Sequence, residues 1–164
     1  MKKLILALLV ALPLSAMAQK FAHFNSAEII PAMPEYTAAQ TELQNVAQQY
    51  EDEYKKMQEE LQTKYEDYQQ NASTMVDAVR QRREQELTDL DSRMREYYSN
   101  SQQELQQLQQ TKLQEISERI SKAVKEIGDA GGYVYIMDTS GGIPYISTSL
   151  STDVTSQVKS KLGI

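Results

Sequence analysis

Between Pro34 and Ile127 the chain reads PEYTAAQTELQNVAQQYEDEYKKMQEELQTKYEDYQQNASTMVDAVRQRREQELTDLDSRMREYYSNSQQELQQLQQTKLQEISERISKAVKEI. After Pro34 this stretch of about 90 residues holds neither Gly nor Pro and is crowded with Gln, Glu, Lys, Arg and Leu. Such residues keep their rotamer freedom in a helix, and the two helix breakers are absent, so the composition dictates long helices and disfavours sheet. In the first half Tyr36, Leu43, Ala47, Tyr50, Tyr54, Met57, Leu61, Tyr65 and Tyr68 recur mostly at alternating steps of four and three, which places them on one helical stripe. The second half continues with Val76, Val79, Leu87, Leu90, Met94, Tyr97, Leu105, Leu108, Leu113, Ile116, Ile120, Val124 and Ile127, at steps averaging closer to 3.6 than to 3.5. A packed pair of helices satisfies that pattern without strong supercoiling.

Gln69-Gln70-Asn71-Ala72-Ser73-Thr74 interrupts the stripe, and Asn71, Ser73 and Thr74 are good capping and turn residues. The tip of a helical hairpin is therefore expected near 69–74, the other arrangement being one unbroken helix. Folded back, a helix of about 35 residues makes an arm of roughly 50 Å.

The flanks differ. Gly128 to Ile164 holds all six Gly residues. Lys20 to Phe24 reads as a short strand, followed by a brief helix capped by Asn25 or Ser26 and closed by Pro31 and Pro34. Tyr133 to Met137 and Ile143 to Ser147, joined by Thr139-Ser140-Gly141-Gly142, read as a β-hairpin, with Pro144 confined to an edge or strand start. A last helix is expected from Val154 to Leu162, capped by Thr152 or Asp153 and stopped by Gly163. The fold class is thus α+β: a helical hairpin over 34–127 and a β-rich body from 19–33 and 128–164.

Met1 to Ala18 has the order of an export signal: Lys2 and Lys3, the apolar run Leu4 to Leu14, then Ala16-Met17-Ala18. The apolar run is shorter than the about 20 residues that span a bilayer. Cleavage before Gln19 removes two lysines and leaves 15 basic against 23 acidic residues, moving the net charge from −6 to −8. With no Cys at the cleavage point to carry a lipid, the mature chain is expected in the periplasm.

No Cys is present, which excludes disulfides and thiolate metal sites, and the single His leaves no constellation for nucleophilic or metal catalysis. No enzyme activity, metal or other cofactor is expected. The acidic balance disfavours nucleic acid, whose phosphates call for a positive surface. Arg80, Arg82 and Arg83 could meet an anionic membrane surface, but interleaving with Asp77, Glu84 and Glu86 reads as a self-paired solvated face. His23 reads as structural or exposed.

The signal, the strand ending in Phe24-Asn25, the Gln/Glu-rich hairpin, then Gly132-Tyr133-Val134-Tyr135-Ile136-Met137-Asp138 and Asp153-Val154-Thr155 with Val158 and Leu162-Gly163, together resemble the Skp/OmpH family over the whole mature chain. The resemblance implies a periplasmic, nucleotide-independent holdase chaperone: a homotrimer with tentacle-like helical arms that hold unfolded outer-membrane proteins in a cavity. Three short strands cannot cover both their faces within one chain. The expected trimer interface is Phe21, Phe24, Val134, Ile136 and Ile146, each contributing about 1.5–3 kcal/mol if fully buried. Tyr50, Tyr54, Met57, Tyr68 and Met94 fall in register with the hairpin seam, whereas Tyr65, Met75 and Tyr98 lie off it and are the expected client-binding residues. Family members are often described as basic. For this acidic chain, apolar contact rather than charge is the expected basis of capture. The alternative is a structural coiled-coil spacer or adaptor of the cell envelope, which needs a rigid rod.

Overall fold

A computed structural model describes residues 19–164. The expected export signal, Met1 to Ala18, lies outside the described residues. Contacts divide the chain into two compact units, one of residues up to Ile29 with Ile120–Ile164, the other Ile30–Arg119.

The first unit is built on a three-stranded sheet of β1 (Lys20–Phe24), β2 (Tyr133–Asp138) and β3 (Ser151–Asp153), in the order β2-β1-β3, with β1 parallel to both neighbours. Ala22 and Phe24 point to one side of β1 and are buried. They belong to a core with Ile29 at the end of the one-turn helix α1 (Ser26–Ile29) and Val154, Val158 and Leu162 of α4 (Thr155–Leu162). Ile120 and Ala123 are buried too, on the last turns of α3 (Asp77–Gly131). Gly132 stops α3 in the left-handed conformation, at φ 64°. At Gly131 a β-carbon would run into the Tyr133 ring, so glycine leaves the room that ring occupies.

The turn at Thr139–Gly142 forms, with Gly142 at φ 80° and its N–H donating to the Thr139 carbonyl. The β-hairpin it was expected to close does not. Ile143 to Ser147 are irregular, and the third strand is Ser151–Asp153. The reason lies at the end of β1: the Phe24 carbonyl accepts from the Thr139 N–H at 2.8 Å and from its hydroxyl at 3.1 Å, drawing the chain off β2. The His23 carbonyl in turn accepts the Val154 N–H at 2.9 Å, holding β3 on the far side of β1. Two parallel partners for β1 replace one antiparallel pair, and residues 139–150 make the crossing that parallel pairing requires.

Local caps fix the short elements. Asn25 Oδ1 accepts the Ala27 N–H and so caps the start of α1, and Asn25 Nδ2 donates to Glu28 Oε1. Helix α4 starts one residue later than expected, with Val154 at its N-cap making no side-chain cap, and Asp153 just before it accepts on Oδ1 both the Thr155 N–H at 2.8 Å and the Thr155 hydroxyl at 2.6 Å. The Thr155 oxygen accepts the Asn25 N–H at 3.1 Å, tying α4 to the end of β1. Gly163 (φ 82°) and Ile164 donate to the carbonyls of Ser160 and Lys159 and close α4 as a Schellman turn.

The second unit pairs α2 (Pro34–Asn71) with α3 up to Arg119, entered through a 3-10 turn at Ile30–Ala32. Pro34 sits at the first helical position, where its missing N–H costs nothing. The unbroken helix is therefore not formed. The turn occupies residues 72–76, a little beyond the expected 69–74. Asn71 Nδ2 donates to the Asp67 carbonyl, keeping the last turn helical, and the Thr74 N–H and hydroxyl then close on the Asn71 carbonyl. Across the hairpin Glu35 meets Arg119, Glu42 meets Lys112 and Lys64 meets Glu86. Numbers rise on one helix as they fall on the other, the mark of antiparallel pairing.

Thr155→Val should cost on the order of 1–3 kcal/mol in urea unfolding, since it leaves the Asn25 N–H without its acceptor. The two Thr155 hydrogen bonds hold the Asp153 carboxyl below its ordinary value, with burial opposing them. With a folded pKa depressed below an unfolded value of about 3.9, the stabilisation is complete above that value and fades as pH falls through the folded one. The stability gap between the native protein and Asp153→Ala should thus be full at neutral pH and narrow below about pH 4. A gap unchanged at pH 2 would show that the carboxylate charge is irrelevant.

Candidate functional site

Two surfaces stand out, one in each unit. In the hairpin unit, the seam is a single line of side chains with nothing behind it. Leu90 and Ile116 are buried on α3 and Ala39 on α2, while Leu43, Tyr50, Tyr54, Met57, Leu61 and Tyr68 are half-buried. Met94 and Tyr97 are half-buried opposite them.

The seam also runs through polar residues that a search for apolar periodicity passes over. Ser101 is 5% exposed, its hydroxyl donating back to the Tyr97 carbonyl at 2.7 Å. Lys64 and Lys112 are half-buried, their stems in line with the seam and their ammonium groups on Glu86 and Glu42. The spacing Tyr97–Ser101–Leu105–Leu108–Lys112–Ile116 keeps the helical step without a gap, and that regularity was the available signal.

Because Ser101 is small, it leaves a cleft of about 360 Å³ walled by Tyr50, Tyr54, Tyr97 and Tyr98, with Glu51 among its lining residues. The Tyr50 and Tyr97 rings meet edge to face at 6.1 Å, and the Tyr54 and Tyr98 rings are tilted at 5.5 Å. The Tyr50 hydroxyl donates to Glu104, and that bond raises its pKa. Tyr68 is held in the same way by Glu84, at 2.5 Å.

Of the expected client-binding residues, Tyr98 is 55% exposed beside Tyr54, Tyr65 is 45% exposed on α2, and Met75 is half-buried in the turn. The structure brings Tyr98 into the aromatic cleft and leaves Tyr65 and Met75 out of it. Val76 and Val79, read as part of the stripe, are exposed at the turn instead, because Val76 precedes α3 and its carbonyl accepts the first helical N–H groups. Arg80 pairs with Asp77 and Arg83 with Glu86.

The second surface is the side of the sheet away from α4. Phe21 and His23 of β1 and Tyr135 and Met137 of β2 share that side by register, and the Phe21 and Tyr135 rings lie 4.9 Å apart. The crossing adds Ile143, Tyr145, Ile146 and Leu150 around a cleft of about 370 Å³. Tyr135, Met137, Tyr145 and Leu150 are exposed, a contiguous apolar patch of the kind that marks an interaction site. His23 Nδ1 shares a 2.8 Å hydrogen bond with Ser151 Oγ at its border.

The five expected interface residues divide. Phe21 and Ile146 line this open cleft. Phe24 is buried inside its own chain, and Ile136 shares its side of the sheet, next to Gly128 of α3. Val134, also on that side, is exposed. Sequence alternation alone does not say which side of a strand a helix will cover, so the exposed side chains Tyr135 and Met137 went unassigned.

A two-helix hairpin and a three-stranded parallel sheet, each with one open apolar surface, define a helix-rich scaffold built from a single unusual element order. The sequence profile of the OmpH-like outer membrane proteins matches residues 20–162, and the chain belongs to this family. A crystal structure from Caulobacter crescentus, described as a candidate OmpH-like outer membrane chaperone, shares the fold at a TM-score of 0.74 and 14% identity, over 88% of this chain and 83% of that one. No curated protein sequence matches the chain.

A single-layer seam should unravel from the turn inward. Ile116→Ala, at a site 4% exposed, should cost about 2–5 kcal/mol, whereas Val79→Ala should stay within about 0.5 kcal/mol. Hydrogen exchange should show protection rising from residues 72–76 toward Leu90 and Ile116. Uniform protection along the hairpin would identify it as a rigid rod.

Proposed function

We propose that this protein is a periplasmic, nucleotide-independent holdase chaperone that binds unfolded outer-membrane proteins, working as a homotrimer. Membership of the OmpH-like family is the observation that carries this reading, and the chaperone description of the Caulobacter crescentus structure supports it. In this reading residues 19–33 and 128–164 form the trimerisation body, and the hairpin over 34–127, with its turn at residues 72–76, is one of three arms around a cavity.

Chemistry agrees at both surfaces. The open side of the sheet needs cover, and a second and third copy supply it with side chains that already match, Phe21, Tyr135, Met137 and Ile146. Val134 is exposed on the opposite side of the sheet and stands apart from that contact, while Phe24 and Ile136 support the sheet from that same opposite side. On the hairpin, Tyr65, Met75 and Tyr98 offer many weak apolar contacts to a chain with no fixed shape, since tyrosine is apolar with a polar tip and methionine repacks easily. Release without nucleotide is natural when each contact is weak. The spacer alternative needs a continuous rigid heptad, and a seam passing through Ser101, Lys64 and Lys112 is a poor rod.

Purified mature protein should sediment as a trimer at micromolar concentration, and Tyr135→Asp with Met137→Asp should dissociate it by burying unpaired charge. It should also suppress light scattering by a urea-unfolded outer-membrane β-barrel without nucleotide. That activity should fall only slightly as salt rises through the physiological range, and fall more in a variant with Tyr65, Met75 and Tyr98 all changed to Ser. A monomer, or aggregation at the rate of the client alone, would refute the reading. Steep salt loss with an unaffected triple variant would assign capture to charged surface.

A further inference from the structure

The tyrosine cleft of the hairpin combines features that an apolar seam does not need. It is lined by four tyrosine rings, two from each helix, with the Tyr50 and Tyr97 planes at 82° and the Tyr54 and Tyr98 planes at 52°. Its floor is Ser101, where a leucine would have filled the space. A carboxylate, Glu51, is among its lining residues, and a second, Glu104, holds the Tyr50 ring in place through its hydroxyl.

Other clefts along the same hairpin carry their own cations. One is lined by Lys64, Arg82 and Arg93 beside Glu60, Glu86 and Asp89; another by Lys112 and Arg119 beside Glu35, Glu42 and Glu115. The tyrosine cleft has aromatic faces and a carboxylate but no Lys or Arg in its lining.

We propose that this cleft is an aromatic cage for a cationic side chain, the guanidinium of an arginine or the ammonium of a lysine, carried by an extended polypeptide. The negative faces of the tyrosine rings attract a cation, and the apolar walls favour one whose hydration is loose, so arginine is preferred over lysine. Glu51 supplies the balancing charge. The occupant comes from outside because the cleft's own lining provides carboxylate without a basic partner, and the chain as a whole is acidic. Such a contact depends on close approach to ring faces more than on long-range field, and it gives an acidic holdase a way to hold basic residues of a client. The inference rests on the reading that the hairpin binds polypeptides.

The test uses the whole mature protein and tetramethylammonium as probe, with tert-butyl alcohol as its uncharged tetrahedral counterpart, at matched ionic strength. Tyr54 and Tyr98 ring-proton shifts in NMR should saturate with tetramethylammonium, in about the millimolar range, and respond at least tenfold more weakly to the alcohol. A flexible Gly/Ser peptide with one arginine should compete, whereas the same peptide with citrulline should not. Tyr54→Leu with Tyr98→Leu should lower affinity about tenfold, Tyr54→Phe with Tyr98→Phe should keep it within about threefold, and Glu51→Gln should weaken it a few-fold. Equal response to cation and alcohol in the native protein, which needs no variant to fold, would overturn the proposal, as would full binding by the Leu pair. Holdase assays on the same samples separate the two readings: aggregation suppression without cation binding refutes the cage alone, and cation binding without suppression refutes the holdase alone.

Discussion

The constraint on which the hairpin unit depends is that two helices pack through one seam and have nothing behind it. A pair of helices can bury only a narrow stripe on each, so every position in the stripe matters and no second layer makes up for a weak one. Tyrosine meets that need because its ring reaches across the gap while its hydroxyl stays wet or finds a carboxylate, as Tyr50 does with Glu104 and Tyr68 with Glu84. Salt bridges such as Lys112 to Glu42 set register more than stability, since exposed pairs are worth little. The same thinness lets residues such as Tyr98 remain half outside, neither committed to the seam nor free of it.

The sheet unit meets the complementary problem. Strand β1 is only five residues long and has neighbours on both sides, so its stability comes from what covers it. One side is covered by the chain's own α4, held in place by the Asp153–Thr155–Asn25 chain of hydrogen bonds. The other side presents Phe21, Tyr135 and Met137 to the surroundings. In the proposed reading, the open side of the sheet is where copies meet and the thin helical pair is where a client binds, one surface from each unit.

The acidity of the chain bears on both. Its carboxylates are spread over the exposed faces of the helices, where they keep a long, single-layered hairpin soluble and apart from its copies. They also remove the simplest way of attracting an acidic partner. In the proposed reading, contacts made by rings and thioethers carry the recognition, and basic side chains of a client meet matching charge.

Much of this was legible in the residues themselves. The absence of Gly and Pro from 35–127 dictates helix, the turn chemistry of Asn71 and Thr74 dictates a reversal near them, and Asn25, Asp153 and Gly163 mark helix ends because their side chains or backbone can satisfy the terminal groups locally. These are short-range effects, and short-range chemistry is written in adjacent residues. Pairing of strands is not. Whether Ile143 to Ser147 would join β2 or give way to Ser151–Asp153 was decided by the carbonyls of His23 and Phe24, more than a hundred residues away in sequence. The same holds for the seam: apolar spacing named its tyrosines, but only the packed pair shows Ser101 sinking to its floor and Tyr98 drawn in beside Tyr54, because burial belongs to the partner surface as much as to the residue.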